Sequence, residues 1–190
     1  MTNKIIGIQG DKLDKINISS DTSIFLAHEA QKLGYKTFHY TPSNLSIIKN
    51  KTYANGVFVK LNYERKKFYK IYKKQKIDVE NLKFILIRQD PPFNSEYLIT
   101  TLILDDLKKT RVINNPVAIR NVSEKLYSKK FIKYMPDTIF SNNIEEVKRF
   151  YKQNKSIIMK PINGYGGNQI HLIKNKFDKK QIGRAHVWTP

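Results

Sequence analysis

Two lysines and three glycines stand where their chemistry asks for an anion. Lys160 closes the apolar run SIIMK and is followed at once by Pro161, then by Asn163-Gly164 and Gly166-Gly167, before a second run, NQIHLIK. An ammonium at the end of an otherwise buried strand is unfavourable unless a counter-charge accompanies it. Lys125 falls in the first turn of a helix predicted from SEKLYSKKFIKY, with Ser123 as N-cap. The helix dipole disfavours a cation there, and a bound phosphate would compensate both. Glycines without side chains let backbone N–H groups close on a phosphate as a nest. The spacing matches neither a dinucleotide G-x-G-x-x-G nor a Walker G-x-x-x-x-G-K-[ST], and glycine clusters between strands also mark plain turns. Taken together, the two lysines and the loop predict one phosphate-rich ligand under a glycine lid.

The elements that must position these residues follow from the hydrophobic pattern. KIIGIQ reads as a buried strand, and Ser20 or Asp21 can cap a helix through IFLAHEAQKLG, whose Ile24, Ala27, Ala30 and Leu33 recur every three residues before Gly34 ends it. KTFHYT is the next strand, so the chain opens β-α-β, the signature of a parallel sheet. LSIIKNKTYANGVFVKL predicts a hairpin around Asn55-Gly56. Phe68, Ile71, Tyr72 and Gln75 fall at i, i+3, i+4 and i+7, which predicts an amphipathic helix over Arg65 to Lys76 with its lysines in water.

KFILIR, residues 83 to 88, is almost wholly apolar and suits a central parallel strand. It runs into QDPPFN, where two prolines stop the ladder and leave Arg88 and Asp90 at the sheet edge at which ligands of open α/β sheets sit. A helix from about Glu96 to Lys109, the segment RVINN and Pro116 close this unit, and the boundary is placed near Asn121. Beyond it come the basic helix, a strand in PDTIF, a helix in NNIEEVKRFYKQN with Ile144, Val147, Phe150 and Tyr151 on one face, and two strands joined by the glycine loop. No internal repeat or low-complexity linker is visible.

Composition removes several classes. The chain has 190 residues and no cysteine, which excludes disulfides and thiolate chemistry, and its four histidines show no metal-ligand spacing. Adjacent acidic residues, Asp105-Asp106 and Glu145-Glu146, sit on predicted helices and diverge by about 100°, so no metal ligands are assigned. No apolar run approaches the roughly 18 residues of a membrane span and no secretory signal opens the chain, which predicts a cytoplasmic protein. The net charge of +19 raises a nucleic-acid partner. Lysines spread among many Ile and Asn residues instead match an A+T-biased genome, and the expectation is no nucleic acid and no membrane.

Over residues 4 to about 175 the sequence resembles bacterial glutathione synthetase, a family of the ATP-grasp superfamily. DKINISSDTS, ILIRQDPPFNSEY, VINNPVAIRNVSEKLYSKKF and IIMKPINGYGGNQIHLIK carry the resemblance, in that order. Ser123 stands where the family commonly has Asn. The resemblance implies an α/β fold: a parallel-sheet N-terminal domain over 1–121, then the first, incomplete ATP-grasp subdomain over 122–176. It implies that Lys125, Lys160, Gly164, Gly166 and Gly167 hold ATP, and that Asp21, Ser23, Arg88 and Asp90 face the substrate. No catalytic residue is assigned.

The implied reaction ligates γ-glutamylcysteine to glycine through an acyl phosphate, with Mg²⁺ ligands expected in a C-terminal part that this chain lacks. A fragment of this extent is expected to be inactive alone, and homo-oligomers are possible for a full-length protein. Two other readings stay open: another ATP-grasp carboxylate–amine ligase, and a basic nucleic-acid-binding protein. The tail QIGRAHVWTP departs from the preceding residues and reads as a translated sequencing adapter with UGA decoded as tryptophan. Residues 182–190 are therefore expected to be non-native, and neither His186 nor Trp188 is assigned a role.

Overall fold

The run IIGIQ forms β1 (Ile5–Gln9), and a polar loop leads from it into α1 (Thr22–Lys32). The computed structural model describes residues 4–62 and 67–174. The Asp21 carboxylate starts α1 by accepting the Ile24 N–H at 2.8 Å, and Gly34, at φ 82°, releases the chain from it. Then follow β2 (Lys36–Tyr40), β3 (Leu45–Ile48), β4 (Lys51–Leu61), β5 (Tyr69–Asp78), β6 (Phe84–Ile87), α2 (Ser95–Asp105), β7 (Arg111–Ile113) and α3 (Pro116–Asn121). β1 lies between β2 and β6, parallel to both, and β7 is parallel to β6. On the other side β4 runs antiparallel to β2, β3 and β5. Alternation along the strands sends Ile6 and Ile8 against Ile24 and Ala27 of α1, while Ile85 and Ile87 meet Phe38, Tyr40 and Leu104 on the opposite face.

Four expectations for this unit need correction. The helix predicted over 65–76 is instead β5, over its described part, paired with β4 along nearly its whole length. A helix would have buried Ile71 and Tyr72, yet they are 40% and 54% exposed, and only Phe68 of that face is buried. Tyr and Ile are strand formers, and a long antiparallel partner overrides a helical period. The hairpin turn between β3 and β4 is at Lys49-Asn50, both left-handed at φ 47° and 60°, the geometry of a type I′ turn. Asn55-Gly56 lies inside β4, where a Cβ on Gly56 would come within 2.5 Å of the His39 carbonyl oxygen. Leu33 is the residue past the last turn of α1 and is exposed. The helix predicted to reach Lys109 ends at Asp105.

The chain divides into Met1–Asn121 and Val122–Pro190. The second unit holds a 3-10 segment, Leu126–Tyr134, then α4 (Ile144–Asn154), β8 (Ser156–Met159) and β9 (His171–Lys174). Asn143 caps α4 through the Glu145 N–H, and Lys155, at φ 61°, ends it in the left-handed region. Val147 and Phe150 of α4 pack on Ile157, Met159 and Ile173, with Ile144 and Tyr151 at the margin. Here too the local reading is corrected. The basic segment is 3-10 rather than α-helical, kinks at Phe131, buries none of its residues and has no side-chain cap. Without a packed face a short helix has little to hold it. PDTIF forms no strand, although Ile139 packs on the core. The tail reading, over 182–190, lies outside the described residues, as do residues 175 and 176.

Candidate functional site

In the second unit β8 and β9 pair antiparallel, with Met159 opposite His171, and the eleven-residue connection between them carries Lys160 and the glycines. Two features explain how the chain turns here. The Gly164 N–H donates to the Pro161 carbonyl at 3.0 Å, and a Cβ on Gly164 would sit 2.4 Å from the Pro161 ring, so only glycine closes that turn. Gly166 and Gly167 take φ 58° and 75°, which L side chains adopt only under strain. Around this loop lies a cavity of about 450 Å³ whose lining includes Lys125, Lys160, Gly164, Gly166 and Gly167. All five residues singled out for an anion therefore face one space.

Lys125 precedes the 3-10 segment rather than standing in the first turn of an α-helix, so the dipole argument does not apply to it. Its constraint is different. The side chain is 16% exposed, and its ammonium donates to the Gly164 carbonyl, with Glu124 at 3.7 Å. Sequence reasoning did not find the rest of the wall: Ser128 and Thr138 bring hydroxyls, and Met135, Pro136 and Ile170 bring apolar surface. Cations and hydroxyls beside an apolar wall fit a ligand that is anionic at one end and apolar at the other. No periodicity marks these residues, because most come from irregular segments.

In the first unit, the four residues expected near a substrate gather where β1 and β6 end. Arg88 donates from Nε to Ser23 Oγ at 3.0 Å and from Nη2 to Thr22 Oγ1 at 2.6 Å, tying the end of β6 to the start of α1. Asp21 is the cap of α1, and Ser23 is buried. The Asp90 N–H donates to Asp11 Oδ2 at 2.9 Å. Partial burial, then the Asp11 and Asp21 carboxylates, push the Asp90 carboxyl above its ordinary range, with Arg88 opposing. A cavity of about 320 Å³ beside this edge is lined by Asp90, Pro91, Pro92 and Tyr97, together with Asp11, Lys12 and Lys15. Asp21, Ser23 and Arg88 do not line it. Asp11 was legible in principle: Gly10-Asp11 ends a strand in the same way that Arg88 to Asp90 do, and adjacent parallel strands bring such ends together.

Among the described residues no three His, Asp or Glu side chains converge as a metal set, so these residues do not fit a magnesium ion. No helix among them is long and apolar enough to cross a membrane.

Comparison with known proteins bears on both units. Residues 5–120 match the family model for the N-terminal domain of prokaryotic glutathione synthetase, and residues 124–184 match that for its ATP-grasp domain. The glutathione synthetase of Mesorhizobium japonicum is 38% identical over 169 residues, covering 88% of this chain and 54% of the relative. That of Buchnera aphidicola subsp. Acyrthosiphon pisum is 35% identical over 171 residues, covering 89% and 53%. The chain spans about half the length of the curated relatives it matches. Among solved structures, an ATP-grasp RimK domain protein from Sphaerobacter thermophilus aligns with TM-score 0.51 at 11% identity, over 94% of this chain and 55% of that one. The ATP-grasp ligase PsnB, complexed with minimal precursor, Mg and ADP, aligns with TM-score 0.50 at 13% identity, over 96% and 62%. At these identities the two likenesses speak for the fold alone.

Proposed function

Because this chain belongs to the prokaryotic glutathione synthetase family, we propose that it is the N-terminal part of a cytoplasmic enzyme that ligates γ-glutamylcysteine to glycine at the expense of ATP. The observation that carries the reading is the cavity of about 450 Å³ onto which Lys125, Lys160 and the three loop glycines all face. In this reading ATP is a substrate bound with its phosphates between the two ammonium groups and its base against Met135, Pro136 and Ile170. Fixed cations in a confined site stabilise the charge of a transferring phosphoryl group. The glycine loop closes over it and keeps water away.

The cysteinyl carboxylate oxygen attacks the γ-phosphorus of ATP, the bond to the β,γ-bridging oxygen breaks, and ADP leaves. The glycine amine then attacks the acyl carbon, the C–O bond to phosphate breaks, and the amine gives up a proton as the amide forms. Asp21, Ser23, Arg88 and Asp90 are proposed to hold γ-glutamylcysteine, Arg88 and Asp90 offering opposite charges to its amino-carboxylate groups. Mg²⁺ finds no ligand set among the described residues.

Two measurements test this. Calorimetric titration of the 190-residue chain with ATP should show saturable binding that Lys125→Ala and Lys160→Ala each weaken about tenfold or more, as loss of a charge-assisted phosphate contact implies. Binding indifferent to both substitutions would remove the nucleotide site from this cavity. Phosphate release with γ-glutamylcysteine and glycine is expected from a full-length enzyme and absent from this chain by itself. Preference of the full-length enzyme for a different acid would assign it to another ATP-grasp ligase.

A further inference from the structure

A second concave site lies in the first unit, at the end of the sheet where β1 and β2 begin. It is a groove of about 480 Å³. Lys36, Lys73 and Lys76 line it with Gln75, over a floor that includes Phe58 and the ring of Tyr72. A β-bulge produces this arrangement. Phe58 pairs with Lys73 and Val59 with Ile71, so Tyr72 is an extra residue with no partner across the ladder. Bulges re-aim side chains in this way. Tyr72 thereby rests against Phe58, ring centroids 6.0 Å apart, while remaining 54% exposed.

The charges are equally unusual. Among the described residues none of Lys36, Lys73 and Lys76 forms an ion pair with a carboxylate. Lys76 borders the groove, but its ammonium lies over the Tyr53 ring at 5.0 Å, outside the lining and on the face opposite Lys73, which leaves Lys36 and Lys73 as the cations of the groove. Asp78 also lines the groove, but one of its carboxylate oxygens is taken by the Glu80 N–H at 3.0 Å. A lysine-rich edge strand by itself needs only to stay soluble and unpaired. Solubility does not require a concave groove or an aromatic ring raised out of register beside the lysines. An exposed ring next to converging cations is the recognition chemistry of an aromatic phosphate, with the ring stacking on the base and the ammonium groups taking the phosphate.

We propose that this groove binds a nucleoside monophosphate or an aromatic phosphate of that size, its base on Tyr72 and its phosphate between Lys36 and Lys73. At about 480 Å³ the groove has room for one nucleotide rather than a continuous strand. The site shares no residue with the cavity around Lys160, so it stands or falls independently of the proposed ligase activity.

The experiment is a ¹⁵N–¹H titration of the Lys125→Ala/Lys160→Ala chain with AMP, adenosine and ribose 5-phosphate. AMP should shift the Tyr72 to Lys76 amides saturably. Tyr72→Ala should weaken AMP about tenfold while leaving ribose 5-phosphate unchanged, and Lys73→Gln should weaken both phosphates. Both substituted residues are exposed. Should Tyr72→Ala fail to fold, Lys73→Gln and the AMP-to-ribose 5-phosphate affinity ratio carry the test. Equal response to AMP and ribose 5-phosphate would overturn the proposal in favour of generic polycation behaviour. Binding of a single-stranded DNA octamer in the absence of AMP binding would overturn it in favour of an extended polyanion track.

Discussion

His39 and Glu80 show how single side chains set the response of this molecule to acid. Burial drives the His39 pKa from 6.5 down to about 4, although a hydrogen bond to the Asp11 backbone and the Asp11 and Asp21 carboxylates pull the other way. In the unfolded chain the same imidazole takes up a proton at the ordinary value. Between about pH 6.5 and 4 the unfolded state therefore binds the extra proton, and stability must fall as pH falls through that window. Glu80 acts lower. Burial by itself would raise its carboxyl, but the N–H groups of Lys108, Lys109 and Thr110, at 2.7, 2.8 and 2.9 Å, outweigh it and hold the group below its ordinary value. A depressed carboxyl contributes stability above the unfolded value, and that contribution disappears on acidification through the folded one. Urea midpoints read against pH should show both effects. His39→Gln is expected to flatten the upper window, and Glu80→Gln to cost about 1–3 kcal/mol at neutral pH while flattening the lower one. Unchanged slopes in both variants would show that other groups dominate.

The glycine loop carries the element-scale argument, because its glycines have different duties. Gly164 faces the Pro161 ring at a distance no Cβ tolerates, and its carbonyl accepts the Lys125 ammonium. Gly167 has no atom within 4 Å of a built Cβ but sits at φ 75°. Gly167→Ala should therefore cost about 1 kcal/mol in ordering the loop and leave Lys125 in place. Gly164→Ala must move the turn and release Lys125. ATP titration of the two variants should give the larger loss for Gly164→Ala; the reverse order would mean that the left-handed backbone, not the turn, sets the site. The β4–β5 hairpin shows the limit of local reading. Phe68, Ile71, Tyr72 and Gln75 carry a helical period, yet an eleven-residue partner strand decided the state of this segment, and a pattern confined to one segment cannot register a partner.

At the scale of the whole molecule, the two units differ in how much core each possesses. The first has buried clusters on both faces of its sheet, whereas the second, among its described residues, buries five hydrophobic ones around α4 and the β8–β9 pair. A small unit buries too little apolar surface to be robust by itself. A polypeptide of residues 1–121 should thus retain a cooperative urea transition by far-ultraviolet circular dichroism, while residues 122–190 alone should melt at much lower urea or show no transition. Two equally cooperative fragments would contradict this account. The basic charge belongs to this scale too. It is spread through the chain, and it becomes a local feature where the fold gathers it, at the cavity lined by Lys125 and Lys160 and at the groove beside the Tyr72 bulge.

Much of the architecture was legible because it is periodic or punctuated. The apolar runs of β1 and β6, the capped helix between Asp21 and Gly34, the apolar face of α4 and the paired strands around the glycine loop all announce themselves within a few residues, since burial and capping act locally. The residue types at the cavity were legible for the same reason: a lysine ending a buried strand is anomalous wherever it occurs. Tertiary structure alone decided that Lys125 is held by the Gly164 carbonyl, that Asp11 joins Asp90, that Arg88 reaches Ser23 and Thr22 at the start of α1, and that residues 69–78 pair with β4. Each of those depends on groups from different segments of the chain being brought within a few ångströms. That proximity is a property of the folded chain and leaves no period in the sequence.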